Sequence, residues 1–340
     1  MARRVVLDTD PGIDDALAIL LALASPEVEL RCVTVTGGNC TMADGVRNAL
    51  NVLAVGGASH IPVCAGVALP LIRPPCTAAE THGDSGLGYA KLPASPAAVA
   101  NRHAVDVIID EIMAHPGEVT LVAVAPLTNV AMAIRKEPRI VDAVHEVFIM
   151  GGALRVDGNT TSLAEFNFFV DPHAAHIVLE SGMPITLVPW DITKDVLFTQ
   201  AHVDRLLKVD SPITSFVRDA TRFYIEFHLE TFGYAGCSIN DPVALALAFM
   251  PDLAVTQSMH VAIEFTSELG MGKSVISYIG DADQPASEND ISAFDTKSWP
   301  MRWRRASRPR PNVKTVVSFD NERFLELFVE RVEQLARRIS

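Results

Sequence analysis

The sequence predicts an α/β protein built on an open, mostly parallel sheet flanked by helices, with extra helices and strands towards the C-terminus. Three observations predict it. Short runs rich in Val and Ile alternate with amphipathic stretches over the first 190 residues. The short runs are continuously apolar, as expected of strands covered on both faces. Their repeated β-α-β order implies a largely parallel, Rossmann-like sheet.

The strand candidates in that half are Arg4–Asp8, Leu30–Thr36, Val119–Val124, Val144–Met150 and Ile185–Pro189. Between them lie helical patterns at Asp14–Ala24, Met42–Ala54, His103–Ala114, Asn129–Arg135 and Pro172–Glu180. The second half reads differently. Helices are expected at Ala201–Lys208, Ile213–Thr231 and Asp241–Phe249, then strands at His260–Phe265, Lys273–Ile279 and Val313–Phe319, and a closing helix at Asn321–Ile339. No linker rich in Gly, Ser or charge divides the halves, so one domain over residues 1–340 is expected, with no repeat of fixed period. Two long segments lack periodicity, 66–101 and 280–312. Long loops in compact domains are often lids or binding loops. The second holds the basic patch Met301-Arg302-Trp303-Arg304-Arg305-Ala306-Ser307-Arg308, expected to be a solvated loop or subunit contact.

Composition narrows the function classes. Apolar residues make up 49% of the 340 and charged residues 20%, the balance of a well-packed globule. A formal charge of −13 argues against nucleic acid or an anionic membrane as partner. The N-terminus lacks the pattern of a signal peptide, and no apolar run approaches the roughly 18 residues of a membrane span. The five cysteines are scattered and never in a C-x-x-C spacing, which suits reduced thiols and a cytoplasmic location.

The chemistry concentrates at the carboxyl ends of the expected strands, where open α/β sheets place their ligand crevice. Asp8, Asp10, Asp14 and Asp15 bracket the turn Pro11-Gly12 between the first strand and first helix. Helix capping needs one or two such acids. Four within eight residues repel one another, and a hard cation with oxygen ligands resolves that repulsion. An EF-hand does not fit, because the twelfth position from Asp8 is Ile19. Nor is Gly272-Lys273-Ser274 a phosphate loop, since the required earlier glycine is Ser267. A second constellation runs from Met150-Gly151-Gly152 through Asn159 to Glu165-Phe166-Asn167; it suits either a vicinal diol or an ordinary polar loop. The third is Ser238-Ile239-Asn240-Asp241-Pro242, where Asp241 can reach a metal or cap a helix.

Taken together, these segments resemble the nucleoside hydrolase family, its inosine–uridine-preferring group in particular. The resemblance is carried by V-L-D-T-D-P-G-I-D-D-A-L-A-I at the start, then Gly38-Asn39, His82-Gly83, Leu127-Thr128-Asn129, Met150-Gly151-Gly152, Ala164-Glu165-Phe166-Asn167 and Asp241-Pro242. It implies the nucleoside hydrolase fold, hydrolysis of ribonucleosides to ribose and base, and a homodimer or homotetramer. It further implies Ca2+ held by Asp10, Asp15, Asp241 and the Val124 carbonyl. Asp14, Asn39 and Asn167 would hold the 2′- and 3′-hydroxyls, Asn159 and Glu165 would reach the 5′-hydroxyl, and Met150 and Phe166 would lie against the sugar. Asp10 would take a proton from water as general base.

One position departs from that pattern. The family's histidine before the last metal aspartate, implicated as the acid for the leaving base, is Asn240 here. An amide can donate a hydrogen bond but not a proton at neutral pH. Two histidines are candidates to compensate: His82, matched in the family, and His228, four residues after Tyr224 on one helix face and expected to assist the base through that tyrosine. Two other functions stay open. A haloacid-dehalogenase-like phosphatase would use Asp8-Thr9-Asp10 as its D-x-D pair, although Pro11-Gly12-Ile13 suits it poorly. A non-catalytic riboside sensor would explain Asn240 but leave Asp10 without a purpose.

Overall fold

The computed structural model describes residues 2–277 and 310–339, so the basic patch Met301–Arg308 lies outside the described residues. In chain order the elements begin with β1 (Arg3–Thr9), α1 (Ile13–Ala24), β2 (Val28–Val35), α2 (Met42–Val55), β3 (Val63–Ala65), α3 (Ala79–His82) and α4 (Ala104–Ala114). Next come β4 (Val119–Ala123), α5 (Thr128–Lys136), α6 (Ile140–Ala143), β5 (Glu146–Met150), α7 (Phe166–Val170), α8 (Pro172–Leu179), β6 (Ile185–Val188) and α9 (Trp190–Thr193). The remainder is β7 (Leu197–Thr199), α10 (Gln200–Leu206), α11 (Pro212–Phe232), β8 (Gly236–Ser238), α12 (Asn240–Leu247), β9 (Ala254–Ile263), β10 (Ser274–Ser277), β11 (Val313–Phe319) and α13 (Asn321–Ile339).

Nine strands form one sheet in the order β10-β9-β11-β6-β5-β4-β1-β2-β3. From β11 to β3 every pairing is parallel, whereas β9 runs antiparallel to both its neighbours. The order β3-β2-β1-β4-β5-β6 reverses direction between β1 and β4, which is where ligands bind in open α/β sheets. The acidic turn follows β1 directly.

Strand β1 shows why both faces are covered. Val5 and Leu7 enter one core with α1, α2, α11, α12 and α13, while Val6 enters a second core with α4, α5 and α8. Helix α1 is buried at every position but Leu23. It is apolar all round beyond its first turn, so it packs between α2, α12 and α13 rather than on the surface. The closing helix α13 instead presents a stripe of Phe324, Phe328, Val332 and Leu335 to the core.

The expected parallel sheet and its flanking helices are present, and the C-terminal additions extend the same sheet. Three short strands, β3, β7 and β8, were not expected; three residues are too few to show periodicity. Strand β9 also starts six residues before the expected His260, because Val255 to Ser258 are exposed and lack an apolar pattern. Cys32, Cys40, Cys64, Cys76 and Cys237 are all free thiols. Among the described residues no helix is long and apolar enough to cross a membrane.

Candidate active site

The turn between β1 and α1 is fixed by its own carboxylates. Asp15 accepts the Gly12 N–H at 2.9 Å and the Asp10 N–H at 3.2 Å, and also takes the Thr9 hydroxyl, so it caps α1 from inside. Asn39, after β2, braces the same turn. Its backbone N–H donates to Asp10 Oδ2 at 2.6 Å and its Nδ2 to Asp15 Oδ2 at 2.8 Å. Asp8, a layer below, accepts from Thr34 at 2.6 Å and Asn129 at 2.9 Å. Asp10 Oδ1 is buried with no hydrogen-bond partner among the described residues.

Above this turn lies a cavity of about 590 Å³, within the range that encloses a small organic ligand. Asp14, Asn39 and Asp241 line its acidic side, and Val124, Met150 and Asn167 line the strand ends beyond. Asn167 Nδ2 donates to the Val124 carbonyl at 3.1 Å and the Met150 carbonyl at 3.2 Å, which fixes where those oxygens sit. Asn159, Glu165 and Phe166 close the next wall. Glu165 is the N-cap of α7: its carboxylate accepts N–H bonds from Asn167 (2.9 Å), Gly152 (2.8 Å) and Phe168 (3.3 Å). Asn159 in turn accepts the Phe166 N–H at 2.9 Å.

Carboxylate oxygens of Asp14, Asp15 and Asp241 lie within 4.8 Å of one another, and all three residues are buried. Burial, and after it the repulsion of neighbouring carboxylates, raises Asp10 and Asp241 well above the ordinary carboxylate range and Asp14 to about 7. The donors are all hard oxygens, and one of them, Asp10 Oδ1, is orphaned. A divalent cation such as Ca2+ or Mg2+ fits this set chemically. The observed cluster contains Asp14, which the sequence assigned to a sugar hydroxyl, alongside the expected ligands Asp15 and Asp241; Asp10 stands outside it.

The opposite wall is aromatic. Tyr224 and His228 of α11 line it with His82 of α3 and with Asn240 at the start of α12. His82 and Tyr224 have ring centroids 5.3 Å apart, and Tyr224 meets His228 edge-on at 4.5 Å. The His82 Nδ1 accepts the Ile13 N–H at 3.1 Å, so its proton resides on Nε2, which no described residue engages. Burial lowers its pKa to about 4, leaving a neutral ring that donates a hydrogen bond rather than a proton. His228 is placed differently from the proton donor expected for it. Its Nδ1 lies 2.8 Å from the Tyr224 carbonyl and its Nε2 accepts the Ser238 N–H at 3.3 Å, so both ring nitrogens are committed to backbone.

Sequence reasoning missed Trp190, Phe227 and Phe232, which also line the cavity. Trp190 follows the carboxyl end of β6, a position that the strand-end rule marks for ligand contact. Phe227 and Phe232 continue along α11 from Tyr224, and the helical spacing that paired Tyr224 with His228 reaches them one turn on.

Comparison with known proteins agrees with this geometry. The sequence profile described as "Inosine-uridine preferring nucleoside hydrolase" matches residues 5–326. An inosine-uridine preferring nucleoside hydrolase of Crithidia fasciculata is 41% identical over 280 residues, 82% of this chain and 89% of its own length. The pyrimidine-specific ribonucleoside hydrolase RihA of Salmonella arizonae is 34% identical across 98% of this chain and 99% of its own. Among solved structures, a purine-preferring ribonucleoside hydrolase from Gardnerella vaginalis superposes with a TM-score of 0.87 at 31% identity, covering 99% of this chain and 100% of that one. This kinship displaces the phosphatase alternative. The chain belongs to the inosine-uridine preferring nucleoside hydrolase family.

Proposed function

We propose that this chain hydrolyses the N-glycosidic bond of ribonucleosides, releasing ribose and free base, with Ca2+ held by Asp10, Asp15, Asp241 and the Val124 carbonyl. The observation that carries the reading is the buried cluster of Asp14, Asp15 and Asp241, of which Asp14 and Asp241 line the cavity, together with the unpartnered Asp10 Oδ1 in the same turn. When bound, the cation supplies positive charge that offsets the carboxylates and makes a neighbouring water more acidic.

Every other part of the chemistry belongs to the chain. The Asp10 carboxylate takes the proton of the attacking water as general base. Asp14, Asn39 and Asn167 hold the 2′- and 3′-hydroxyls, with Asn159 and Glu165 towards the 5′-hydroxyl. Met150 and Phe166 lie against the sugar ring. As the C1′–N bond breaks, the sugar gains oxocarbenium character, and carboxylates facing it bind more tightly in the transition state than in the ground state. On the far side, the Nε2–H of neutral His82 donates a hydrogen bond to the base, which departs as its anion and takes its proton from solvent, and Trp190 and Phe232 offer it aromatic faces.

The test is a panel of inosine, uridine, cytidine, adenosine and guanosine, read by reducing-sugar release with Ca2+ and with chelator. Release from at least one nucleoside that stops on chelation and returns with Ca2+ is expected. Release untouched by chelator would remove the cation from the proposal; no release from any of them would end it.

A further inference from the structure

Asn240, the residue that departs from the pattern implied by the resemblance, and His228, the candidate to compensate for it, are joined through Tyr224 by one set of hydrogen bonds. Asn240 spends its donors on Asp14: its backbone N–H reaches Asp14 Oδ2 at 3.3 Å and its Nδ2 reaches the same oxygen at 2.8 Å. The second Nδ2 hydrogen points to the Tyr224 hydroxyl at 3.4 Å. The reversed amide would set Oδ1 against the Asp14 carboxylate, so the orientation is dictated by charge. Asn240 Oδ1 is left buried without a partner among the described residues. No N–H of Asn240 remains for a leaving base.

His228 does the corresponding work two elements earlier, on α11. A carbonyl can only accept, so the Nδ1 facing the Tyr224 carbonyl carries the proton, and the Nε2 lone pair receives the Ser238 N–H. Ser238 ends β8, and Asn240 follows two residues later. Ser238 Oγ also donates to the Lys194 carbonyl at 3.0 Å, which ties the strand end to the chain before β7. At 2% exposure, His228 has no water to replace these bonds, and protonating Nε2 would break its bond from Ser238. Tyr224 is the hub: its carbonyl holds His228, its hydroxyl receives Asn240, and its ring packs on His82.

We propose that Asn240 and His228 are positioning residues, which together hold Asp14 and the start of α12 in register with the last turns of α11, and that neither passes a proton to the leaving base. Asp14 is thereby gripped by a residue 226 positions away in sequence. The inference rests on the hydrolase reading given above.

The experiment compares inosine with p-nitrophenyl riboside, whose phenolate leaves without an acid, in wild type, Asn240→Ala and His228→Gln. A positioning role lowers kcat/KM on both substrates by the same factor, about tenfold for Asn240→Ala, the size of a lost hydrogen bond to a charged group. Asn240→Asp, which keeps the shape but faces Asp14 with like charge, is expected to lose more than Asn240→Ala, again equally on both. Should Asn240→Ala fail to fold, Asn240→Ser replaces it with the same equality expected. Independently of turnover, histidine-selective 15N spectra, assigned by the signal missing in His228→Gln, should show His228 as the Nδ1–H tautomer. An Nε2–H tautomer, or a loss on inosine at least tenfold beyond that on p-nitrophenyl riboside, would overturn the proposal. A wild type that turns over neither substrate would sink the hydrolase reading first, and the inference with it.

Discussion

The two walls of the cavity are built by opposite strategies. On the proposed sugar side, the ends of β1, β2, β4 and β5 deliver Asp10, Asp15, Asn39, Val124 and Met150 from neighbouring strands of one sheet, braced by Asn39 and Asn167. On the proposed base side, α3, α11, α9 and α12 contribute His82, Tyr224, Phe232, Trp190 and Asn240 from segments far apart in sequence, held by aromatic contacts and by the hydrogen bonds of His82, His228 and Asn240. The relatives carry three different base preferences in their names on one fold, inosine–uridine, pyrimidine and purine. On the reading proposed above, ribose recognition belongs to the rigid strand ends, and base preference to the helical wall, where side chains can change without disturbing the sheet.

The sharpest way to break that division is at Asp10. Removing a general base costs about 10²–10⁴-fold in rate, and Asp10→Asn should fall in that range for kcat on every accepted nucleoside, measured as ribose release. Gly38→Ala offers the same test without touching the carboxylate chemically. A Cβ there would lie 1.9 Å from Asp10 Oδ2, so the carboxylate must move away from the Asn39 N–H that holds it. If Gly38→Ala kept wild-type kcat, the rigidity assigned to the sugar wall would have no functional weight.

This contrast also explains what was legible in the sequence. The acidic turn reads directly because its residues are contiguous, and four acids in eight positions demand an explanation. Asp241 and Asn167 became legible only through their resemblance to family segments, since each alone suits a cap or a polar loop. Two features of the sugar wall were hidden. Asn39 acts as the brace of Asp10 and Asp15, and Asp14 joins the carboxylate cluster, because both depend on side-chain direction rather than order along the chain. On the base wall, the i, i+4 spacing placed Tyr224 and His228 on one face correctly but could not show that Ser238 and the Tyr224 carbonyl occupy both imidazole nitrogens. Trp190 sat at a strand end that the apolar pattern treated as finished.

A second effect, intermediate in size, concerns stability. Burial raises Asp8 to about 6 and Asp14 and Glu165 to about 7, so without a cation the folded protein binds protons that the unfolded chain has already released. For carboxyls with raised pKa the sign is fixed: stability is greatest below about pH 4, where both states are protonated, and declines as pH rises to 7. The melting temperature in chelator should therefore fall between pH 5 and pH 8. Ca2+ at about a hundred times its Kd adds about 2.7 kcal/mol, and because it competes with those protons the gain should be larger at pH 8 than at pH 5. Calorimetric melts at both pH values, with and without Ca2+, measure it; a cation effect equal at the two would detach the sugar wall from the metal.

The smallest expected effect lies on the aromatic wall and is the most informative about preference. Trp190 and Phe232 meet at a tilt of 48° with 6.2 Å between centroids, and Phe232 also meets the His228 ring at 5.6 Å. Stacking of a base on an aromatic face is worth about 1–3 kcal/mol by alanine substitution, so Phe232→Ala should raise KM for the preferred nucleoside roughly tenfold. Neither residue touches the carboxylate turn, and product inhibition by ribose should stay where it is in Phe232→Ala while weakening in Asn167→Ala. Purines present a larger face than pyrimidines, so the KM penalty should be greater for inosine than for uridine. Equal penalties for the two, or a loss of ribose affinity on truncating Phe232, would mean that the two walls act as one unit and that base preference is set elsewhere in the cavity.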